Sequence, residues 1–232
     1  MKSRQVFTYI WRINAVIILL MGILASASFA ATVWGLFRQA TRTQEVSNVV
    51  NLSTNDEVKV KTTIGTFGQI SGTDIIKAPL YLIQEYDYRA GSKESSSVQN
   101  YIFYDPTKKV SYWLRPKSEG LLLSTIALPD LTESTGKEHQ LPTVGYVYLV
   151  ADKDTNNDKR INDEDQKSIA ISDPSGLRFK VLINQVDRFN GTSTIKNNRV
   201  SILYQSENKL KVAEVDLRSQ EIVSNSEFSS QP

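Results

Sequence analysis

Ile169-Ala170-Ile171-Ser172-Asp173-Pro174-Ser175-Gly176 leads into Phe179-Lys180-Val181-Leu182-Ile183. Apolar and β-branched residues make up both flanks, with Asp and Pro between them. Asp bonds its own backbone and Pro presets φ, so the stretch reads as strand, turn, strand. The same form occurs twice more. Tyr101-Ile102-Phe103-Tyr104-Asp105-Pro106 leads into Val110-Ser111-Tyr112-Trp113-Leu114, and Val212-Ala213-Glu214-Val215-Asp216-Leu217 leads into Glu221-Ile222-Val223. A further strand candidate precedes each: Leu80–Tyr86, Tyr146–Val150 and Val200–Tyr204. The pattern predicts an all-β fold of three units, each with three antiparallel strands. It fits a meander, a sandwich or partial propeller-like blades. Within the units the first two strands join through a polar loop at 87–98, through 151–167, and through the tight turn Ser206-Glu207-Asn208.

Toward the N-terminus, Val58-Lys59-Val60-Lys61-Thr62 alternates as a strand does. Residues 38–56 are polar and read as a spacer, with Gln44–Val50 expected to form one or two helical turns. Before them, Ile13–Phe37 is apolar apart from Asn14, Ser26, Ser28 and Thr32, and no charge falls between Arg12 and Arg38. At about 1.5 Å per residue such a span covers a hydrocarbon core. Trp11 and Trp34 stand near its ends, where amphipathic rings prefer the interface. The span therefore predicts a single-pass anchor at 13–37. A cleaved signal ending at Ala25-Ser26-Ala27 or Ser28-Phe29-Ala30 is the alternative, but the apolar run continues past both sites.

Residues 1–42 carry Lys2, Arg4, Arg12, Arg38 and Arg42 and no acid, so the remainder holds 22 basic against 25 acidic residues, a net charge of −3. Three basic residues precede the span and two follow it. That bias predicts a cytoplasmic segment 1–12 and an exported, periplasmic β domain at 57–232, anchored to a bacterial inner membrane. A mildly acidic domain without a basic stripe argues against nucleic acid as a partner. The chain has no cysteine, which excludes disulfides, thiolate metal sites and thiol nucleophiles.

The three strand–Asp–turn–strand units resemble blades of the TolB-type β-propeller, in which a strand ending in Asp precedes a short turn and another strand. The resemblance implies antiparallel blades. Residues 154–165, Asp-Thr-Asn-Asn-Asp-Lys-Arg-Ile-Asn-Asp-Glu-Asp, resemble the calcium loop of dockerins and EF-hands. The resemblance implies oxygen ligands from Asp154, Asn156 and Asp158, the Arg160 carbonyl, Asn162 through water, and Asp165 closing the loop. Ile161 falls where the family carries an apolar residue that packs the loop. A hard cation wants six to eight oxygens, which alternate residues of a tightly wound loop aim inward. Three features depart from the pattern: Lys159 replaces the turn glycine, Asp165 the usual Glu, and strands replace the flanking helices. A frame shifted to Asp152 is also open, so the loop as a whole spans 152–165.

Other residues carry weaker signals. His139, the single histidine, lies in a polar stretch. Glu85, Asp87 and Glu94 read as surface charge. The Tyr and Trp residues of 81–113 read as a packed sheet face, and Asn190-Gly191-Thr192 as a turn. No phosphate loop, serine elbow or paired-histidine motif occurs. The expected function is an interaction or scaffold module, not an enzyme. It is held at the membrane beside an envelope or membrane protein partner, and a structural Ca2+ orders one long connection. An envelope-polymer hydrolase and a carbohydrate-binding module are the alternatives.

Overall fold

A computed structural model of the chain describes residues 2–40, 44–52, 58–88, 91–129 and 141–228. His139 lies outside them. The chain divides into two compact units: Met1–Gln44 with Asp87–Ser92, and Glu45–Tyr86 with Lys93–Pro232.

The first unit contains α1 (Lys2–Ala40). Within it Phe7–Leu36, 30 residues, is long and apolar enough to cross a membrane. Its large apolar side chains are exposed, Trp11 at 72% and Leu19 at 64%. The Thr32 hydroxyl donates to the Ser28 carbonyl at 2.9 Å, so one of the few polar groups is satisfied inside the helix. The first unit is therefore a helix of the membrane-anchor or export-signal type.

The regular elements in the rest of the described chain are all strands. In order come β1 (Gln44–Ser47), β2 (Val50–Asn51), β3 (Val58–Ile64), β4 (Gly68–Gln69), β5 (Ile76–Tyr88), β6 (Gly91–Asp105), β7 (Val110–Trp113), β8 (Leu121–Leu128), β9 (Gly145–Ala151), β10 (Arg160–Ile161), β11 (Lys167–Ser172), β12 (Lys180–Val186), β13 (Arg188–Thr192), β14 (Arg199–Ser206), β15 (Lys209–Asp216) and β16 (Glu221–Glu227). The first sheet has the order β1-β6-β5-β3, with β4 also on β5 and β7 also on β6. The second is β12-β11-β9-β8 and the third β13-β14-β15-β16, while β2 and β10 form a two-stranded ribbon.

All three expected units are present, β5, β6 and β7; β9, β11 and β12; β14, β15 and β16, and the pairs β6–β7, β9–β11, β11–β12, β14–β15 and β15–β16 are antiparallel. Each carries more than the three strands expected, because β3, β8 and β13 pair ahead of them. The three Asp turns share one device. The Oδ1 of Asp105 accepts the N–H groups of Thr107 and Lys108, both at 3.0 Å. The Oδ1 of Asp216 accepts those of Arg218 and Ser219 at 2.9 and 3.1 Å. Asp173 accepts the N–H and hydroxyl of Ser175 at 3.0 and 2.6 Å. Hydrogen bonds from the Lys108 and Ser219 amides, respectively, lead the causes that hold the Asp105 and Asp216 carboxyls below their usual value.

The structure corrects three local expectations. The polar loop at 87–98 is largely strand, since β6 begins at Gly91. Small serines make this possible: Ser95 and Ser97 are buried within the sheet. Asn190-Gly191-Thr192 is no turn but part of β13, where the register shifts between Phe189 and Gly191 and Gly191 takes φ 127°. Such a bulge needs the conformational freedom that glycine has. Third, Gln44–Ser47 and Val50–Asn51 are strands where helical turns were expected. This segment kinks at Asn48, φ 61°, and is fixed by distant groups. Ser97 Oγ accepts the Val49 N–H at 3.0 Å and donates to its carbonyl at 3.1 Å. Gln84 accepts the Asn51 N–H at 2.8 Å and donates to its carbonyl at 2.9 Å. Long-range partners have overridden local preference.

The second sheet lies between the other two. Val147, Leu149, Ile169, Ile171 and Ile183 join Val200, Ile202, Tyr204, Ala213 and Val215 of the third sheet in one core. On the opposite face Tyr146, Tyr148, Val150 and Ala170 meet Phe103, Leu114 and Ile70. The register sets this division, with Ile169 opposite Leu149, Ile171 opposite Val147, and Ala170 opposite Tyr148. Every residue of Gly145–Ala151 is consequently buried. Each large apolar side chain removed from water there is worth about 1.5–3 kcal/mol.

Gly176, φ 79°, closes the turn after Asp173, and a Cβ built there would sit 2.3 Å from the Phe103 ring. That ring is fully buried and stacks on Tyr112 at 5.8 Å. Gly176→Ala is expected to destabilise the domain by about 2–4 kcal/mol in urea unfolding, from overpacking and a left-handed backbone combined. Gly68→Ala, where a Cβ meets open space, serves as the neutral control.

Candidate functional site

The connection between β9 and β11 contains all six expected ligand positions. Asp154 Oδ1 accepts the Asn157 N–H at 2.7 Å and its Oδ2 the Lys159 N–H at 2.9 Å. Asn156 Oδ1 accepts from Asp158 at 3.0 Å, Asp158 Oδ1 from Arg160 at 2.8 Å, and Asn162 Oδ1 from Glu164 at 2.7 Å. Asp165 Oδ1 accepts the Thr155 N–H at 2.7 Å and hydroxyl at 3.1 Å, while its Oδ2 accepts the Asn162 N–H at 3.0 Å. The side-chain oxygens thus wind the loop by gathering its own amides.

Lys159, standing where the calcium-loop pattern has glycine, takes φ 64°, and Asn157 takes 62°. The left-handed turn is made without glycine, at a conformational cost a lysine bears. Ile161 is buried against Val50, Leu82, Leu121 and Ala151. Asp165 is also buried, 2% exposed. Burial pushes its carboxyl up, but hydrogen bonds from the backbone of Thr155, Asn162 and Asn156 and from the Thr155 hydroxyl outweigh it, leaving a net downward shift. Asp152, first residue of the shifted frame, is in an ion pair with Arg115 at 2.8 Å. Arg115 is buried and also donates to the carbonyls of Gln99 and Glu119.

As a donor set the loop is all oxygen, which suits a hard cation. Among the described residues no group of three or more His, Cys, Asp or Glu side chains converges to hold a metal by itself. A cation here would therefore draw on the Asn156 and Asn162 amide oxygens and the Arg160 carbonyl as well as the carboxylates.

The other sequence candidates take structural places. Glu85 pairs with Lys61 at 2.7 Å, and that hydrogen bond lowers the Glu85 carboxyl. Phe103 and Tyr112 stack inside the fold, while Trp113 remains 42% exposed.

Lys77 was not anticipated. It is half-buried at the start of β5, with its Nζ 3.7 Å from the centroid of the Tyr146 ring and 4.9 Å from that of Tyr101. Burial pushes its ammonium down to about 8. Burial likewise pushes the Tyr146 phenol up to about 12. The available signal was one lysine inside the apolar run Ile75-Ile76-Lys77-Ala78-Pro79-Leu80.

The protein is an antiparallel β protein of stacked meander sheets with one long apolar N-terminal helix. No family model matches it, and no curated protein matches it. Among solved structures it is similar to the β-propeller domain of the Trilobed protease from Pyrococcus furiosus, described as having an open velcro topology, at 8% identity and a TM-score of 0.34. The match covers 76% of this chain and 45% of that one, so the chain spans less than half of that structure.

The Lys77 site generates a pH prediction. Between about pH 8 and 10.5 the unfolded chain holds the Lys77 proton and the folded chain does not, so stability rises with pH. From pH 10 to about 12 Tyr146 acts oppositely, since the unfolded phenol ionises first. Lys77→Met is expected to raise stability at pH 7 by about 1–3 kcal/mol. It should also flatten the rise between pH 8 and 10, measured as urea midpoints across pH. A parallel rise in the variant would assign the effect to other groups.

Proposed function

We propose that this chain is a membrane-anchored, extracytoplasmic β domain that works as an interaction or scaffold module, with a structural Ca2+ ordering the loop 154–165. The observation that carries the reading is α1. Its 30-residue, mainly apolar span exposes large apolar side chains along its length, and such a surface is tolerable only in lipid or against a partner. The basic bias ahead of the apolar span 13–37 supports a cytoplasmic N-terminus at an inner membrane. The stacked sheets supply a rigid body, and Val60, Val223 and Phe228 keep apolar surface exposed for contact with an envelope or membrane protein.

Asp154, Asn156, Asp158, the Arg160 carbonyl, Asn162 and Asp165 would hold the ion. The ion would add to the loop's own amides as a partner for the Asp154, Asp158 and Asp165 carboxylates. Lys159 and Ile161 act without touching it: Lys159 makes the turn, and Ile161 seats the loop in an apolar pocket.

Two experiments test the reading. A reporter active only outside the cytoplasm, fused after Pro232, should give signal, and the protein should stay in membranes through carbonate washing. Cross-linking followed by affinity capture with the helix intact should then recover a defined membrane partner. A soluble mature form beginning near Ala31, or capture without any stoichiometric partner, would count against the module.

For the loop, calcium at 100 times its Kd should stabilise the protein by about 2.7 kcal/mol, raising Tm by roughly 5–10 °C over chelator. Asp154→Ala or Asp158→Ala should remove that response. Lys159→Gly should tighten binding, because glycine adopts the left-handed turn freely. Asp152→Ala should leave the response in place. Identical melting with calcium and chelator would discard the ion.

A further inference from the structure

Lys77 enters the fold without an anion. Its half-buried side chain lies over the rings of Tyr146 on β9 and Tyr101 on β6. Among the described residues no carboxylate pairs with it and no carbonyl accepts from it. Lys61, Lys108, Lys167 and Lys211, by contrast, each meet a carboxylate at 2.7 to 3.3 Å. The titratable groups described around Lys77 are phenols: Tyr146, Tyr101 and, beside Tyr101, Tyr81. The hydroxyls of the first two are engaged elsewhere, Tyr146 with Thr143 and Tyr101 with Thr125. An ammonium has three N–H donors, and ring faces satisfy them poorly. Burial therefore favours the neutral amine, with the proton lost near pH 8. A neutral lysine amine is a nucleophile.

The amine is also approachable from one side. Lys77 is registered opposite Gly68 of β4. Directly opposed residues of an antiparallel pair project on the same face, their Cβ atoms about 4.5–5.5 Å apart. A Cβ built on Gly68 would meet nothing within 4 Å. The neighbour that would screen Lys77 is thus a residue without a side chain, in open surroundings.

We propose that Lys77 is a covalent capture site for small aldehydes, which reach its Nζ over Gly68. The Nζ lone pair attacks the carbonyl carbon and forms the C–N bond. A proton moves from nitrogen to oxygen, giving the carbinolamine. Protonation of the hydroxyl lets it leave as water while the nitrogen lone pair closes C=N. One amine, one aldehyde and one proton give one protonated imine and one water, and nothing is oxidised or reduced. The product suits the place better than the ammonium does. A protonated imine has one N–H donor in place of three, so fewer donors go unmet away from water. It remains a cation and still lies over the Tyr146 ring.

Propanal is the probe, added in limiting amount with cyanoborohydride to the full-length protein in detergent. Reduction of the imine leaves a stable propyl-lysine that peptide mapping locates. At pH 7 about a tenth of a lysine titrating near 8 is neutral, against about three in ten thousand of an ordinary one. Lys77 should therefore be labelled at least about tenfold faster than the exposed Lys108 and Lys117, even with its lower basicity and partial burial. That ratio should fall between about pH 7 and 10, where ordinary lysines still gain neutral amine and Lys77 has already done so. Gly68→Leu should slow Lys77 without slowing Lys108 or Lys117. Labelling of Lys77 no faster than that of Lys117, a ratio that ignores pH, or indifference to Gly68→Leu overturns the proposal. Should Gly68→Leu fail to fold, the pH dependence of the ratio in the unaltered chain decides.

Discussion

The structure depends on one strand with nowhere to put a polar side chain. Gly145–Ala151 is buried along its whole length because the sheet that contains it is covered on both faces. Its odd residues, Val147 and Leu149, serve the core shared with the third sheet, and its even ones, Tyr146, Tyr148 and Val150, serve the core shared with the first. A one-residue slip would exchange the two sets and put tyrosines where branched aliphatics pack. The polar tips that burial brings along are satisfied locally: the Tyr148 hydroxyl lies 2.9 Å from Ser172 Oγ. Gly145 opens the strand where a Cβ would come within 2.8 Å of the Ser172 carbonyl.

What the sequence made legible was local. The Asp turns were readable because their cause lies within three residues of each Asp, in amides that its own carboxylate collects. The hairpin at Glu207 and Asn208 was readable for the same reason, both residues taking the positive φ that a two-residue loop demands. The elements that escaped have distant causes. Ser95 and Ser97 belong to a strand because of what covers them, and Val49–Asn51 is extended because Ser97 and Gln84 complete its hydrogen bonds. The strands β3, β8 and β13 were underread as opening members of their sheets because each leads in without an Asp turn.

The loop at 154–165 and the lysine at 77 mark the same boundary in the site chemistry. The side-chain hydrogen bonds that wind the loop depend on spacing, so the six oxygen-bearing positions could be named without coordinates as candidates. Even the misfit at Lys159 resolves within the loop, through the Asp154 carboxylate that accepts its amide. Lys77 carries no such pattern. Its unusual proton affinity arises from burial beside Tyr146 and Tyr101, which come from other strands.

The long-range seating of Val49–Asn51 also bears on the order in which the molecule assembles. The second and third sheets are chains of neighbouring hairpins, whose closure entropy is small and whose partners leave the ribosome in succession. The ribbon of β2 and β10 is the opposite case. Its first half is made early, yet its second half follows more than a hundred residues later, after β8 and β9. Synthesis order and closure order therefore run against each other at this point. β2 is made before every other strand but β1, yet seven more, β3 to β9, are made before its partner exists, and until then the growing chain carries one strand edge that nothing completes.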